Sequence, residues 1–172
     1  MSKPRNRDVA PGTLRLIVMR HAKSDWHTGA QTDHERPLNE RGKREAPVVG
    51  KQLAEKGYVP ELVLCSDSAR TSETYDRIKP YFPDARIEYL RDLYHASIGE
   101  VRAVLDKVPA GTQSLMLLGH NPGWEDMVTE LAGEPVEMKT ANAAVLEADA
   151  ATFAEAIAPG KRMRLVHVVT PK

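Results

Sequence analysis

The amino-acid sequence predicts an α/β fold: a three-layer α/β/α sandwich with a mainly parallel, mixed sheet of about six strands. Apolar runs alternate with helical patterns along the 172-residue chain, as in parallel sheets covered by helices on both faces. Three of these runs end in polar residues, as buried strands do where they reach the edge of a sheet. No repeat or low-complexity linker divides the chain, so we expect a single domain over residues 14–172.

Six apolar runs are the candidate strands. The first and the fourth are almost wholly apolar, which is typical of strands buried on both faces. The last two lie close together in the sequence, which predicts a mixed sheet. The candidates are Leu14–Met19, Glu61–Cys65, Arg86–Tyr89, Ser114–Leu118, Ala143–Ala148 and Met163–Val169.

A capping residue marks the first helix. Asn39 is an N-cap for a helix that runs toward Lys56, with Gly57 as its stop. Pro47 falls inside this span, and its missing N–H should kink the helix or split it in two.

Two further helices begin at recognisable sequence patterns. Ser97 and Glu100 form a capping box ahead of a helix over Val101–Val108. Asn121 followed by Pro122 predicts an N-cap and a first-turn proline for the helix that follows.

The bulk composition limits the classes of function. Lys+Arg and Asp+Glu are balanced at 24 each, so no net charge favours nucleic acid or a membrane surface as a partner. The single cysteine, Cys65, excludes an internal disulfide and a cysteine-rich metal site, which fits a reducing compartment. No apolar stretch approaches the length of a membrane span. We therefore expect a cytoplasmic protein with a flexible N-terminal tail over Met1–Thr13.

Three of the candidate strands end in residues suited to chemistry. The first run ends at Arg20 and His21, the second leads to Arg70, and the fourth leads to His120 and Asn121. If these strands are parallel neighbours, their tips converge on one crevice at the carboxyl edge of the sheet. The sequence therefore predicts a cluster of two arginines and two histidines.

The positive charges of such a cluster repel one another unless an anion binds among them. A phosphoryl group suits it, because guanidinium groups pair with phosphate oxygens and imidazoles donate hydrogen bonds or attack phosphorus. The helix that opens at Pro122 adds its positive end. One unprotonated imidazole would attack phosphorus, while the arginines and a second, protonated imidazole stabilise charge on the equatorial oxygens.

Other phosphatase mechanisms fit the sequence less well. Cysteine phosphatases need five residues between the thiolate and the arginine, but Cys65 and Arg70 enclose only four. Arginines flank the histidines and would repel a metal cation. The sequence has neither GxxxxGK[ST] nor GxGxxG, which disfavours a nucleoside triphosphate enzyme. A non-catalytic phosphate- or phosphoprotein-binding module remains open as an alternative.

Several segments together resemble a known family. Arg20-His21-Ala22, SDSARTSET with Arg70, and GHNPG with His120 resemble the signature of the histidine phosphatase superfamily, whose fold is phosphoglycerate-mutase-like. Within it, MRHAKSDW, DHERPLNERG, LYHAS and the short chain most resemble the phosphohistidine phosphatases. One departure is Ala22, which stands where the superfamily's RHG motif has glycine.

The resemblance implies roles for the clustered residues. His21 would be the nucleophile that forms a phosphohistidine intermediate, with Arg20, Arg70 and His120 as the phosphate pocket. The substrate would be phosphohistidine on a partner protein or a small phosphate ester, and phosphate, sulfate or vanadate would compete with it. No metal or cofactor is expected. Candidate substrate-binding residues are Arg20, Arg70, His120, Asn121, Lys23 and Ser24.

The proton donor is the second departure from the family pattern. The resemblance implies a catalytic carboxylate after the third strand, and the best-placed acids, Glu88 and Asp92, have no recognisable context. A phosphohistidine substrate reduces the need for a donor, since the conjugate acid of an imidazole leaving group has a pKa near about 6.5.

The remaining polar residues of the loops receive structural interpretations. Asp33, Glu35 and Arg36 are predicted to form a salt-bridge group in a loop, with Arg36 also a candidate for the pocket. The other histidines have no arginine beside them at a strand end and are interpreted as solvated, although His27 and His34 are placed near the entrance. These other histidines are His27, His34, His95 and His167.

Overall fold

The computed structural model describes residues 9–26 and 29–172, and a six-stranded mixed sheet forms its centre. The strand order is β3-β2-β4-β1-β5-β6, with β1 to β4 parallel and β5 and β6 antiparallel to their neighbours. All six predicted strands and the mixed sheet are confirmed. The strands are β1 (Thr13–Arg20), β2 (Leu62–Ser66), β3 (Arg86–Leu90), β4 (Ser114–Gly119), β5 (Ala143–Asp149) and β6 (Arg164–Val169).

Helices cover both faces of this sheet. Alternate residues of β1 enter two separate cores: Ile17 belongs to the core beneath α1 and α2, and Leu16 to the core beneath α3, α4 and α5. The predicted three-layer sandwich is thus confirmed, although the short α5 was not predicted. The helices are α1 (Glu40–Glu55), α2 (Ala69–Ile78), α3 (Ile98–Leu105), α4 (Gly123–Ala132) and α5 (Phe153–Ala156).

The first helix keeps its predicted cap and is not divided. The Asn39 side chain accepts a hydrogen bond from the Gly42 N–H at 2.9 Å. Pro47 lies inside a helix that is continuous from Glu40 to Glu55, so the predicted split is wrong. The proline removes one backbone hydrogen bond, while Val49 and Leu53 remain fully buried and hold the helix on the sheet.

The other predicted helix starts need adjustment. The capping box of Ser97 and Glu100 is present, but α3 begins at Ile98, directly after its N-cap, and not at the predicted Val101. Asn121 is not an N-cap: Pro122 takes that place and α4 begins at Gly123.

The chain before β1 is only partly described. The predicted tail was Met1–Thr13; residues 1–8 lie outside the described residues, and Thr13 is already the first residue of β1. The Ala150 N–H donates to the Gly12 carbonyl at 3.1 Å, and this bond ties the segment before β1 to the residue that follows β5. In the part of the chain that the structure describes, no helix is both long and apolar enough to span a bilayer.

The topology brings three strand ends to one edge. β4 pairs in parallel with β1 on one side and with β2 on the other, with Arg20 opposite Gly119. The helices that follow β1 and β4 lie on opposite faces of the sheet. A crevice opens at the carboxyl edge where neighbouring connections diverge in this way.

Candidate active site

A cavity lies at the carboxyl edge of the sheet, at the ends of β1, β2 and β4. All seven candidate site residues predicted from the sequence line its wall, although β2 contributes Arg70 only through the start of α2. Four further residues come from the intervening loops. The lining residues are Arg20, His21, Lys23, Ser24, Asp33, Arg36, Arg70, His95, His120, Asn121 and Thr140.

The tautomer of His21 is set by its two hydrogen bonds. Nδ1 donates to the Ala22 carbonyl oxygen at 2.7 Å, since a carbonyl only accepts. Nε2 therefore carries the lone pair, and it accepts a hydrogen bond from Arg70 Nε at 3.3 Å. The nitrogen that faces the arginine is thus the nucleophilic one.

Burial keeps this imidazole uncharged. Burial and the charges of Arg70 and Arg20 lower the pKa of His21 to about 3, against the opposing effect of the Ala22 carbonyl. The lone pair of Nε2 is therefore available throughout the neutral range.

The loop that carries His21 is braced by α2. The Ala22 N–H donates to Thr74 Oγ1 at 3.0 Å, and Thr74 Oγ1 donates to the Arg70 carbonyl at 2.7 Å. The cap of α2 is Ser68, whose side chain accepts from the Thr71 N–H. Thr74 thus links the loop that carries His21 and Ala22 to the helix that carries Arg70. This role could not be predicted from the sequence.

Arg70 is buried and oriented by Asp33. Its Nη1 donates to the Asp33 carbonyl at 2.7 Å and its Nη2 to Asp33 Oδ2 at 2.9 Å. The prediction placed Asp33 in a loop salt-bridge group. The ion pair with Arg36 at 3.0 Å is present, but Asp33 also lines the cavity and pairs with the pocket arginine.

Asp33 is ionised. Burial acts to raise its pKa, but hydrogen bonds from Tyr94, Arg70 and His95 and the charge of Arg70 outweigh burial and hold the pKa of Asp33 well below its usual range. The Tyr94 hydroxyl donates to Oδ2 at 2.6 Å.

Arg20 and Asn121 share one anchor. Arg20 Nη1 donates to the Met138 carbonyl at 3.2 Å, and Asn121 Nδ2 donates to the same oxygen at 2.7 Å. Asn121 Oδ1 accepts from the Glu125 N–H at 3.1 Å, four residues along the chain. The side chain of Asn121 therefore links Met138 to the first turn of α4, where it accepts from Glu125, although the N-cap position itself is Pro122.

His120 faces His21 across the cavity, with ring centroids 5.4 Å apart. Its Nε2 lies 2.8 Å from Ser66 Oγ at the end of β2. Burial, followed by the neighbouring His21 and Arg70, lowers the pKa of His120 to about 2. His120 is therefore neutral in this structure, whereas the sequence-based expectation was a protonated second imidazole. An oxyanion beside the ring would favour the charged form.

Several buried polar atoms point to an anionic ligand. Among the described residues, four buried side-chain nitrogen or oxygen atoms have no hydrogen-bond partner in the protein, and all four belong to residues that line this cavity. Buried polar groups are normally paired, so these unpaired atoms distinguish this cavity as the candidate binding site. They are Arg20 Nε, Ser24 Oγ, Arg36 Nε and His120 Nδ1.

The segment after His21 forms one side of the cavity. Lys23 is exposed and Ser24 is buried, and both line the wall as predicted. The Arg36 guanidinium lies over the Trp26 ring, 5.1 Å from its centroid. Arg36 thus lines the pocket for which the sequence made it a candidate.

The histidines interpreted as solvated divide into different cases. His95 is half exposed and lines the cavity, where its Nε2 lies 3.1 Å from Asp33 Oδ2. His34 bonds Asp67 outside the cavity wall, and His167 is exposed on β6. His27 lies outside the described residues.

The two acids considered as proton donors lie elsewhere. Glu88 and Asp92 line a separate, largely apolar pocket beneath α3, together with Leu64 and Val104. Neither lines the cavity that holds His21. Asp33 is the one carboxylate in that wall, and it is ionised.

Cys65 is not supported as the reactive group. Burial raises the pKa of the Cys65 thiol, so the thiolate that a cysteine phosphatase requires is disfavoured. No group of three or more His, Cys, Asp or Glu side chains in the described part of the chain is arranged to hold a metal ion.

The fold is that of the phosphoglycerate-mutase-like α/β proteins: a phosphoglycerate mutase from Plasmodium falciparum has a TM-score of 0.62 and 18% identity over 90% of this chain and 89% of that one. The chain belongs to the histidine phosphatase superfamily, since the model of branch 1 of that superfamily matches residues 16–138. This match confirms the family resemblance inferred from the sequence.

Three similar proteins extend the comparison. A structure assigned as phosphohistidine phosphatase SixA from Nakamurella multipartitia has a TM-score of 0.81 and 27% identity over 93% of this chain and 97% of that one. The corresponding protein of Agrobacterium tumefaciens has a TM-score of 0.77 and 29% identity over 92% and 99%. An uncharacterized chloroplastic protein of Arabidopsis thaliana is 34% identical over 84% of this chain and 71% of its own length. Membership of this superfamily supports a phosphatase.

Proposed function

We propose that this protein is a phosphatase in which His21 attacks phosphorus and forms a phosphohistidine intermediate, and that its substrate is phosphohistidine on a partner protein. One observation carries the mechanism: His21 Nε2 is unprotonated and its lone pair faces the Arg70 guanidinium in an open cavity. The similarity to two structures assigned as phosphohistidine phosphatases supports the substrate class.

The first half of the reaction transfers the phosphoryl group to the enzyme. The His21 Nε2 lone pair forms a bond to phosphorus while the bond from phosphorus to the leaving group breaks. Arg20 and Arg70 stabilise the charge on the equatorial oxygens, and His120 Nδ1 contributes when protonated. In the second half, water attacks phosphorus, the bond to Nε2 breaks, and orthophosphate leaves.

The lack of a protonated carboxyl group in the cavity wall favours phosphohistidine as substrate. An alkoxide needs a proton as it departs, and general acids commonly supply about a hundred- to ten-thousand-fold in rate. The cavity carboxylate, Asp33, is ionised, and Glu88 and Asp92 line another pocket. Phosphohistidine avoids this requirement when the second ring nitrogen of the substrate carries a proton, because the ring then leaves as neutral imidazole, a far weaker base than an alkoxide.

Turnover on a graded set of substrates tests the proposal. The set is a protein phosphorylated on histidine, an aryl phosphate such as p-nitrophenyl phosphate, and an alkyl phosphate such as glycerol phosphate. We expect rates to fall in that order, with the alkyl ester nearly inert, and His21→Ala to abolish all three activities. Equal rates on alkyl and aryl esters would contradict the phosphohistidine assignment. Activity that survives His21→Ala would contradict the mechanism.

A further inference from the structure

A histidine that the mechanism has not used stands in the cavity wall. His95 is half exposed, and its backbone has a φ of 55°, a left-handed conformation that is uncommon outside glycine. The next residue, Ala96, is buried, and its carbonyl oxygen packs so closely on Gly123 that a Cβ at Gly123 would lie 1.9 Å away. The loop is thus fixed between the sheet and the start of α4.

Asp33 determines which nitrogen of His95 carries the proton. His95 Nε2 lies 3.1 Å from Asp33 Oδ2. An ionised carboxylate only accepts hydrogen bonds, so Nε2–H donates to Asp33 and Nδ1 is the nitrogen with the free lone pair. A carboxylate that orients an imidazole in this way also stabilises the imidazolium formed when Nδ1 takes a proton.

The surroundings of His95 connect it to the reacting groups. Its ring centroid is 5.2 Å from that of His120 and 4.1 Å from that of Tyr94. Arg70 and Arg36 also pair with Asp33, at 2.9 Å and 3.0 Å.

The second half of the proposed reaction requires a proton acceptor. An attacking water must lose a proton as its oxygen bonds to phosphorus. His21 is phosphorylated at that stage. His120 and Asp33 are weak bases, because their pKa values lie far below the ordinary values for their side chains. His95 is the remaining imidazole in the described cavity wall.

We propose that His95, held by Asp33, is the general base that activates water for hydrolysis of the phosphoenzyme. The water oxygen forms a bond to phosphorus, the bond from phosphorus to His21 Nε2 breaks, and the water proton passes to His95 Nδ1. His21 recovers its lone pair, and orthophosphate leaves. This inference rests on the proposed function, since it concerns the phosphoenzyme formed on His21.

Pre-steady-state kinetics with p-nitrophenyl phosphate separate the two halves of the reaction. The main variant is His95→Asn, because asparagine tolerates a left-handed backbone; His95→Gln is the second variant. We expect the initial burst of nitrophenolate to keep its rate and approach one equivalent per enzyme. Steady-state turnover should fall by about a hundred- to ten-thousand-fold, and phosphoenzyme trapped during turnover should increase.

A matched control tests the specificity of the effect. His34→Gln replaces a histidine that packs on Tyr94 but lies outside the cavity wall, and it should change neither phase. Thermal melts should show that the variants are folded.

Two kinds of failure are distinguishable. If wild type forms no phosphoenzyme on His21, the proposed function fails and this inference fails with it. If the phosphoenzyme forms and both His95 variants hydrolyse it as fast as wild type, the role of His95 is overturned and the proposed function stands. A burst rate that falls in parallel with turnover would also overturn the role of His95 as a general base for water, since His95 would then act in phosphoryl transfer to His21.

Discussion

At the scale of single residues, the pocket depends on neutral imidazoles held among buried cations. His21 and Arg70 are both buried, and the guanidinium donates to the imidazole. A protonated His21 would place two positive charges side by side. Burial and arginine charge therefore favour the form that a nucleophile needs.

The lowered histidine pKa values predict acid destabilisation. His21 and His120 titrate near 6.5 when unfolded and near 3 and 2 when folded, so between these values the unfolded state binds more protons. The free energy of unfolding should therefore fall as the pH drops from about 6.5 to about 3. Urea denaturation at a series of pH values measures this, and His120→Asn should reduce the slope. A free energy that is constant from pH 7 to pH 4 would contradict these pKa values.

Arg70 should account for much of the anion affinity. Its removal takes away charge-assisted hydrogen bonds to a phosphoryl group and one of the two arginines that pair with the Asp33 carboxylate. Such bonds are worth about 1.5–3 kcal/mol, so Arg70→Ala should weaken inhibition by phosphate or vanadate by about 10- to 100-fold. Competition assays measure this, with the exposed Arg86→Ala as control. Equal inhibition constants for both variants would exclude Arg70 from the anion site.

At the scale of elements, close packing positions the strand ends. Gly119 ends β4 immediately before His120, and a Cβ there would lie 2.5 Å from Trp124 Cζ2. The buried indole Nε1 donates to the Leu117 carbonyl at 3.2 Å, so the ring cannot easily move. No pattern in the sequence indicated this contact.

Gly119→Ala should therefore lower both stability and activity. Overpacking of this kind costs about 1–3 kcal/mol, and relief by movement of β4 would displace His120. Denaturation and turnover assays test both effects. Gly99→Ala is the matched control: a Cβ there would meet nothing nearer than Ser97 Oγ at 3.8 Å, so stability should be unchanged or higher. If the stability of Gly119→Ala equals that of wild type, the Trp124 ring moves aside and this contact does not hold β4 in place.

The elements themselves could largely be predicted from the sequence. Strands such as Ser114–Gly119 are apolar runs bounded by polar residues, and the Asn39 and Ser97 caps are local signals. Pro47 does not split α1, because the burial of that helix outweighs one lost hydrogen bond. The N-cap of α4 is Pro122, one residue later than predicted, while Asn121 bonds both the Glu125 N–H of the first turn and the Met138 carbonyl, a contact 17 residues away that no local pattern records.

At the scale of the whole molecule, the site combines strand ends with loops, and the strand ends were easier to predict than the contacts between the loops. Arg20, His21, Arg70 and His120 follow apolar runs, so sheet topology brings them together. Asp33 and His95 are 62 residues apart in loops without periodicity, and their pairing depends on the assembled fold. The segments DHERPLNERG and LYHAS contain them, and these segments carried the family resemblance without indicating that contact.

Catalysis should not depend on a metal ion. The positive charge of the pocket comes from Arg20 and Arg70, so an anion needs no cation to bind. Prolonged chelation should leave turnover unchanged, whereas added phosphate, sulfate or vanadate should compete with substrate and raise the melting temperature by mass action. Activity assays and thermal melts with and without chelator measure this. Loss of activity that a divalent ion restores would contradict the mechanism.

The most direct test of the central claim is to identify the residue that carries phosphate during turnover. Rapid quenching without acid, with a labelled phosphohistidine protein or aryl phosphate as substrate, should trap label on the enzyme. The account predicts that the label is stable to base, lost in acid, located on His21 by peptide mapping, and absent from His21→Ala. Label on Cys65, on a serine or on His120 would contradict it.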